Sequence, residues 1–192
     1  QEVTKNDIFF AIKGKKNDGN KFVSQSFKKK ASLAVVNKIQ KKFNINRQIK
    51  VSNTLNFLIG ISKNFRKSID TNIIAITGSC GKTTLKELLG NVLSKISKVS
   101  ISPKSYNNKF GVPLSLFNLK QNDEFGILEV GMDKKGEIDY LSKIIEPDVG
   151  VITNINYAHA KNFKNIKQIA LAKSEIINLS LIHISEPTRL HC

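Results

Sequence analysis

The chain has 192 residues, of which 40% are hydrophobic, and 31 Lys and Arg against 15 Asp and Glu give a formal net charge of +16. This composition supports a folded core and argues against general disorder. No apolar run reaches the roughly 20 residues that a membrane span requires. Two cysteines are too few for a disulfide framework or a zinc knuckle, so we expect a cytoplasmic protein.

The positive charge alone does not indicate a nucleic-acid partner. Only three of the 31 cationic residues are Arg, the residue that usually makes the bidentate contacts to bases. Residues 1–70 carry 16 cations and 4 anions, which predicts a basic face that attracts an anionic ligand. A basic nucleic-acid-binding domain is kept as an alternative, and we expect no such partner.

The first 70 residues predict a small α/β domain. Apolar runs at 7–12, 32–36 and 49–51 are typical of short strands, and residues 21–31 and 54–65 have the spacing of helices. The charged residues that follow the second helix predict a junction at residue 70.

From residue 72 onwards the pattern becomes more regular. Buried strands alternate with amphipathic helices at 73–76, 82–93, 127–130, 137–145, 149–152 and 166–177. This alternation is typical of parallel strands that are covered on both faces. It predicts an α/β fold in which a P-loop-type, mostly parallel, doubly wound ATPase domain, 71–178, follows the small domain.

Residues 179–192 do not continue this pattern. Their sequence, LSLIHISEPTRLHC, breaks the helical period and contains two of the three His. It resembles the translated adapter sequence found at the ends of assembled fragments. We expect it to be non-native, omit it from the fold prediction and do not interpret its His and Cys residues as a metal site.

The segment I-I-A-I-T-G-S-C-G-K-T-T-L-K, 73–86, predicts a phosphate-binding loop, because a strand, a glycine loop and an amphipathic helix follow in that order. Backbone N–H groups would face the phosphates. Lys82 would reach the β- and γ-phosphates, and the Thr83 hydroxyl would bind Mg²⁺. A chance Gly-Lys-Thr at a strand–helix junction is the alternative. The predicted nucleotide-binding residues of the loop are Thr77, Gly78, Ser79, Cys80, Gly81, Lys82, Thr83 and Thr84.

This loop is shorter than the general phosphate-loop pattern, and it resembles the ATP loop of the Mur ligase family. DIFFAIKGKKNDGNKFV resembles the UDP-sugar-binding N-terminal domain of that family, with Gly14, Asp18 and Gly19 in matching places. SYNNKFGVPLSL, ILEVGMDKKGEIDYL, TNINYAHAKNF and IALAKSEII resemble successive segments of its central domain. The resemblance therefore covers residues 1–178.

The resemblance implies an ATP-dependent amide ligase that activates a carboxylate as an acyl phosphate. The NN-x-x-GVP and GEI patterns favour the member that joins D-Ala-D-Ala to UDP-N-acetylmuramoyl-tripeptide in peptidoglycan precursor synthesis. The alternatives are another ligase of the group, such as the diaminopimelate- or lysine-adding enzyme or folylpolyglutamate synthase, and a non-catalytic nucleotide-binding module. Because family segments before and after the chain have no counterpart here, we expect a fragment, inactive alone and monomeric.

The resemblance also implies two Mg²⁺ ions, bound by Thr83, Glu129, His159 and Lys173, with Lys82, His159 and Lys173 in catalysis. Glu129 stands in an apolar run, where a charge is costly unless it binds a partner. Lys173 falls on the apolar stripe of its helix, and burial lowers the pKa of a lysine. A neutral lysine reacts with CO₂, and the resemblance implies a carbamoylated Lys173. The alternatives are a solvent-facing Glu129, a capping His159 and a Lys173 whose head reaches water.

Three asparagines complete the predicted site. Asn154 follows a strand and is expected to contact nucleotide. Asn107 and Asn108 precede Gly-Val-Pro and are expected to bind the muramoyl-peptide substrate. Asparagine also favours turns, which is the alternative for all three.

Overall fold

The computed structural model describes residues 3–14, 17–157, 162–179 and 182–185. The chain divides into two compact units, Gln1–Ile61 and Ser62–Cys192. The strands are β1 (Ile8–Phe10), β2 (Leu33–Val36), β3 (Gln48–Lys50), β4 (Asn72–Thr77), β5 (Val99–Ile101), β6 (Phe125–Glu129), β7 (Val149–Ile152) and β8 (Ile182–Ser185). The α-helices are α1 (Val23–Lys28), α2 (Thr54–Lys67), α3 (Lys82–Leu93), α4 (Gly111–Leu116), α5 (Glu137–Ile145) and α6 (Ile166–Lys173).

The first unit contains a parallel sheet in the order β1-β2-β3. Its core is formed by small and branched side chains, on which three aromatic rings and one isoleucine pack: Ala11, Val23, Ala34 and Val36, with Phe9, Phe27, Phe43 and Ile39 against them. Gly19 approaches the backbone of Ala11 and Ile12 so closely that a Cβ would lie 2.6 Å from it. The turn that precedes α1 therefore requires glycine at this position.

The second unit contains a parallel sheet in the order β5-β6-β4-β7-β8. Strand β4 lies between β6 and β7, with Ile76 opposite Glu129 and Thr77 opposite Ile152. The carboxyl ends of these three strands therefore lie side by side. The strands that follow β4 in the chain lie on both sides of it, β5 and β6 on one side and β7 on the other. Open α/β sheets bind ligands at the carboxyl ends of the strands beside such a point. The predicted α/β fold with mostly parallel strands is confirmed.

Helix α3 packs on the sheet through Leu85, Leu89 and Leu93, which contact a cluster of Ile76, Ile127 and Val151. The spacing of apolar residues in 82–93 also predicts Leu88 and Val92 on the buried face, but both side chains are exposed. That part of the prediction is wrong because the buried face of α3 contains Lys86 and Gly90 instead, and both residues are buried.

Some elements were not predicted. Strand β5, helix α4 and strand β8 have no counterpart in the sequence analysis, and the predicted helix 166–177 changes to a 3₁₀ helix at Ser174–Leu179. Strand β8 lies within residues 179–192, the segment that is expected to be non-native. It pairs in parallel with β7, and Val149 lies opposite Ile182. That residues 179–192 are non-native stays a prediction. Across the described ranges, no helix is long and apolar enough to cross a membrane.

Candidate functional site

The turn from β4 into α3 is a glycine loop of unusual backbone geometry. Gly78 has φ +153° and Gly81, which caps α3, has φ +79°. A Cβ on Gly78 would lie 1.9 Å from the Thr153 hydroxyl oxygen. Both the dihedral angle and the close approach require glycine at position 78.

The first turn of α3 presents donors at this loop. Lys82 is half-buried and donates from Nζ to the Gly78 carbonyl oxygen at 2.8 Å, while Thr83 and Thr84 are exposed. The first backbone N–H groups of a helix have no partner within the helix and carry a partial positive charge. The loop therefore combines a helix N-terminus with a lysine ammonium, an arrangement that binds anionic phosphate groups.

The end of β7 holds the loop in place. The Asn154 side-chain oxygen accepts hydrogen bonds from the backbone N–H groups of Ser79 (3.1 Å) and Cys80 (3.0 Å). The Thr153 hydroxyl donates to the Cys80 carbonyl oxygen at 2.6 Å, and the Asn156 N–H donates to the Ser79 hydroxyl at 2.9 Å. Asn154 thus contacts the loop backbone; the predicted contact with nucleotide stays a prediction.

Glu129, the last residue of β6, is buried, with 1% of its surface exposed. Its backbone N–H donates to the Ser102 hydroxyl at 3.3 Å, but neither carboxylate oxygen has a hydrogen-bond partner. The hydroxyl oxygen of Thr77, at the end of β4, is also buried without a hydrogen-bond partner. A carboxylate whose oxygens accept no hydrogen bond keeps its lone pairs available for a cation, and oxygen ligands suit Mg²⁺. These residues therefore fit a divalent cation.

The sequence analysis missed Lys86, the buried cation beside Glu129. Lys86 is completely buried in α3, and its Nζ lies 3.4 Å from Glu129 Oε1. The available signal was Gly90, one helical turn further on, where a Cβ would lie 2.8 Å from the Ile101 side chain. A glycine that admits a strand so closely marks the buried face of a helix.

Lys173 ends α6 and is buried, as the apolar stripe predicted. Burial, and second the charge of Lys82, lower the pKa of Lys173 from 10.5 to about 8. Its amine is therefore neutral in part at physiological pH.

The structure places the two asparagines that are predicted to bind substrate in different surroundings. The Asn107 side chain lies against Gly131, where a Cβ would be 2.9 Å from the side-chain amide carbon of Asn107. The backbone carbonyl oxygen of Asn107 accepts a hydrogen bond from the Gly131 N–H at 2.7 Å. Asn107 therefore lies beside Gly131, which is two residues beyond Glu129 at the same sheet edge. Asn108 is exposed, and its side-chain oxygen accepts from the N–H groups of Phe110 and Gly111 at the start of α4.

His159 lies outside the described residues, so the structure does not test its predicted metal role. In the parts of the chain that are described, His, Cys, Asp and Glu side chains form no group of three that could hold a metal. The predicted metal ligands Thr83 and Lys173 are not of these four residue types, so the prediction does not require such a group.

Comparison with known proteins decides the family. Residues 76–183, more than half of the chain, match the Mur ligase middle domain. The chain belongs to the Mur ligase family. The match covers the end of β4, the glycine loop, α3, β6 and β7, the elements that carry the site.

Curated relatives of this Mur ligase chain are named UDP-N-acetylmuramoyl-tripeptide–D-alanyl-D-alanine ligases. The chain is 38% identical to that of Buchnera aphidicola subsp. Acyrthosiphon pisum, with 89% of the chain and 37% of the relative covered. It is 36% identical to that of Bacillus subtilis, with 93% and 39% covered. The chain therefore spans about two fifths of the length of the curated relatives it matches.

Solved Mur ligase structures have the same fold. MurF from Acinetobacter baumannii superposes with a TM-score of 0.86 at 35% identity, over 95% of this chain and 41% of that one. The MurF ligase of Thermotoga maritima in complex with ADP superposes with a TM-score of 0.82 at 32% identity, over 96% and 43%.

Proposed function

We propose that this chain forms the UDP-sugar-binding part and the ATP-binding part of a ligase that joins D-Ala-D-Ala to UDP-N-acetylmuramoyl-tripeptide in the cytoplasm. The observation that supports it most is the sheet edge that carries the glycine loop, Lys82 and the Glu129 carboxylate, which accepts no hydrogen bond. This edge offers both an anion site and a cation site, as a nucleotide–Mg²⁺ complex requires. The identity of the two proposed substrates is taken from the names of the relatives.

The first unit supports a nucleotide-sugar role. A surface cavity of about 550 Å³ is lined by Ile12, Lys13, Asp18, Asn20, Asn37, Lys38, Ser52, Asn53, Thr54 and Leu55. Two lysines and several amides suit an anionic, hydroxyl-rich ligand. Hydrogen bonds from the Asn20 side chain and backbone lower the pKa of Asp18, so it accepts hydrogen bonds as a carboxylate.

In the proposed reaction, the tripeptide carboxylate attacks the γ-phosphorus of ATP, and ADP leaves with the electrons of the broken P–O bond. The amine of D-Ala-D-Ala then attacks the acyl phosphate, loses a proton and displaces phosphate. Every species in the first step is anionic, so catalysis depends on positioned cations and N–H donors. Lys82 and the N-terminus of α3 supply them from this chain.

Bound Mg²⁺ would neutralise phosphate charge, and we assign Thr83, Glu129, His159 and Lys173 as the residues that hold two such ions. The Lys173 ammonium would repel them. Its neutral amine, however, can attack CO₂; the new N–C bond forms and one proton is released. The resulting carbamate is anionic and offers oxygen ligands. The buried position and lowered pKa of Lys173 support this modification.

The first experiment measures binding of a fluorescent ATP analogue with Mg²⁺ to the chain. Lys82→Ala should weaken binding by about tenfold or more, because a charge-assisted contact to phosphate is lost. Lys95→Ala is the matched control, since it removes the same charge from an exposed lysine just beyond α3. Equal affinities for Lys82→Ala and Lys95→Ala would refute the loop assignment.

The second experiment tests ligation. Residues 1–178 of this chain replace the matching part of the Bacillus subtilis relative, and the chimera is assayed with ATP, UDP-N-acetylmuramoyl-tripeptide and D-Ala-D-Ala. We expect ADP, phosphate and the ligated product in equal amounts. A chimera that binds ATP and tripeptide but forms no product would favour a nucleotide-binding module without catalysis.

A further inference from the structure

Lys86 is a buried cation to which the proposed function gives no role. It is 0% exposed and lies one helical turn beyond Lys82 in α3. Removing an ammonium group from water costs several kcal/mol unless hydrogen bonds and opposite charge compensate. Its position therefore requires an explanation from its contacts.

The Lys86 ammonium donates hydrogen bonds to two backbone carbonyl oxygens and forms an ion pair with Glu87. It donates to the carbonyl oxygens of Ser102 (2.8 Å) and Lys104 (2.6 Å), and Glu87 Oε1 lies 3.2 Å away. A lysine ammonium has three N–H groups. Two of them form hydrogen bonds that join the turn after β5 to α3.

The contact with Glu129 is a second ion pair of the same ammonium group, and both of its partners are buried. Lys86 Nζ lies 3.4 Å from Glu129 Oε1, yet neither oxygen of that carboxylate receives a hydrogen bond. Lys86 therefore balances the charge of Glu129 and leaves its lone pairs available. A carboxylate in this state keeps its capacity to bind a metal, but the neighbouring positive charge repels that metal.

We propose that Lys86 is the counter-ion of the metal-binding carboxylate. It stabilises Glu129 while no divalent cation is present, and it lowers the affinity of the site for a divalent cation without nucleotide. The site then takes up Mg²⁺ mainly together with nucleotide, whose phosphates bring negative charge of their own. This inference rests on the proposed assignment of Glu129 as a metal ligand. Lys86 acts through Glu129 as a positioning residue.

The test measures Mn²⁺ binding to the chain without nucleotide, by the electron paramagnetic resonance signal of free Mn²⁺. Lys86→Met removes the charge at similar volume, and Lys86→Gln removes it but keeps a donor for one carbonyl. Both should bind Mn²⁺ more tightly by about tenfold or more, since one unit charge within several ångströms has that effect even at the dielectric constant of water. Lys95→Met, the exposed control, should change it less than about twofold.

Thermal unfolding gives the second measurement. Loss of Lys86 leaves a buried, uncompensated carboxylate, so the melting temperature of Lys86→Met should fall without metal. Mn²⁺ should raise it by more than in the wild type, because a ligand that binds the folded state more tightly stabilises it more. Lys86→Met combined with Glu129→Gln should recover part of the stability and lose the Mn²⁺ effect.

The outcomes separate the two proposals. Mn²⁺ binding to both Lys86 variants that is no tighter than to the wild type overturns the counter-ion role. If Lys86→Met is unfolded without metal, failure of Mn²⁺ to restore its circular dichroism overturns it as well. Glu129→Gln with unchanged Mn²⁺ binding overturns the metal assignment and this inference with it. A wild-type chain that binds no ATP–Mg²⁺, while the Lys86 variants gain Mn²⁺ affinity, refutes the proposed function alone.

Discussion

Carbamoylation of Lys173 should depend on pH in a way that the structure determines. Burial and the charge of Lys82 lower the pKa of Lys173 to about 8. At about pH 7.5 roughly a quarter of such side chains are neutral, against roughly 0.1% of ordinary lysines, a ratio of about 250. Only the neutral amine attacks CO₂, so Lys173 should react far ahead of the exposed lysines.

The assay adds ¹³C-labelled bicarbonate to the chain and measures the carbamate signal by ¹³C NMR between about pH 6.5 and 9, a range that brackets the lowered pKa. The signal should rise with a midpoint near the pKa of Lys173 and vanish in Lys173→Met. Lys82→Met should move the midpoint to higher pH, because the neighbouring charge that lowers the pKa of Lys173 is gone.

The same pKa shift makes a prediction for stability. The folded-state pKa lies below the unfolded value, so the unfolded chain binds more protons between about pH 8 and 10.5. The contribution of Lys173 to the free energy of unfolding should therefore increase as pH rises through that window, and this increase should be absent in Lys173→Met.

A carbamate signal that is equal in wild type and Lys173→Met would refute the assignment of carbamoylation to Lys173.

Further predictions concern the loop and the core around it. Gly78→Ala should abolish nucleotide binding measured with the fluorescent analogue, since its Cβ would overlap the Thr153 hydroxyl. Alkylation of the exposed Cys80 thiol should also block that binding, and ATP should slow the alkylation, as followed by mass spectrometry. Equal inhibition of a Cys80→Ser chain by the alkylating reagent would contradict this. Arg66→Ala should lower the free energy of unfolding in urea by about 2 kcal/mol, because the largely buried guanidinium bonds the last carbonyls of α5 and the Asp148 carboxylate. Lys143→Ala, which breaks an exposed pair on the same helix, should cost at most about 0.5 kcal/mol.

The sequence predicted the parts of the site whose signals are local. A strand, two glycines and Lys-Thr occur within one short segment, and α3 begins at Lys82 as its spacing indicated. Lys173 is buried because the period of its own helix puts it among apolar residues. These features need no knowledge of the neighbouring elements.

What escaped the sequence depends on tertiary contacts. Lys86 is buried because Gly90 lets β5 approach one side of α3, and β5 itself has only three half-buried residues. Asn154 holds the glycine loop through bonds that join residues 75 positions apart. Glu175 accepts hydrogen bonds from the Gly136 N–H at the start of α5. Periodicity within one element carries no information about such partners.

The long span of the Asn154–Ser79 contact has a consequence for folding. The glycine loop is complete only when β7 has paired with β4, after the chain has closed a loop of 75 residues. Contacts of this separation form slowly, because the entropy of closure is lost before the pairing energy is gained. Nucleotide binding should therefore appear late in refolding, with the last central strand, and act as a reporter of the finished sheet.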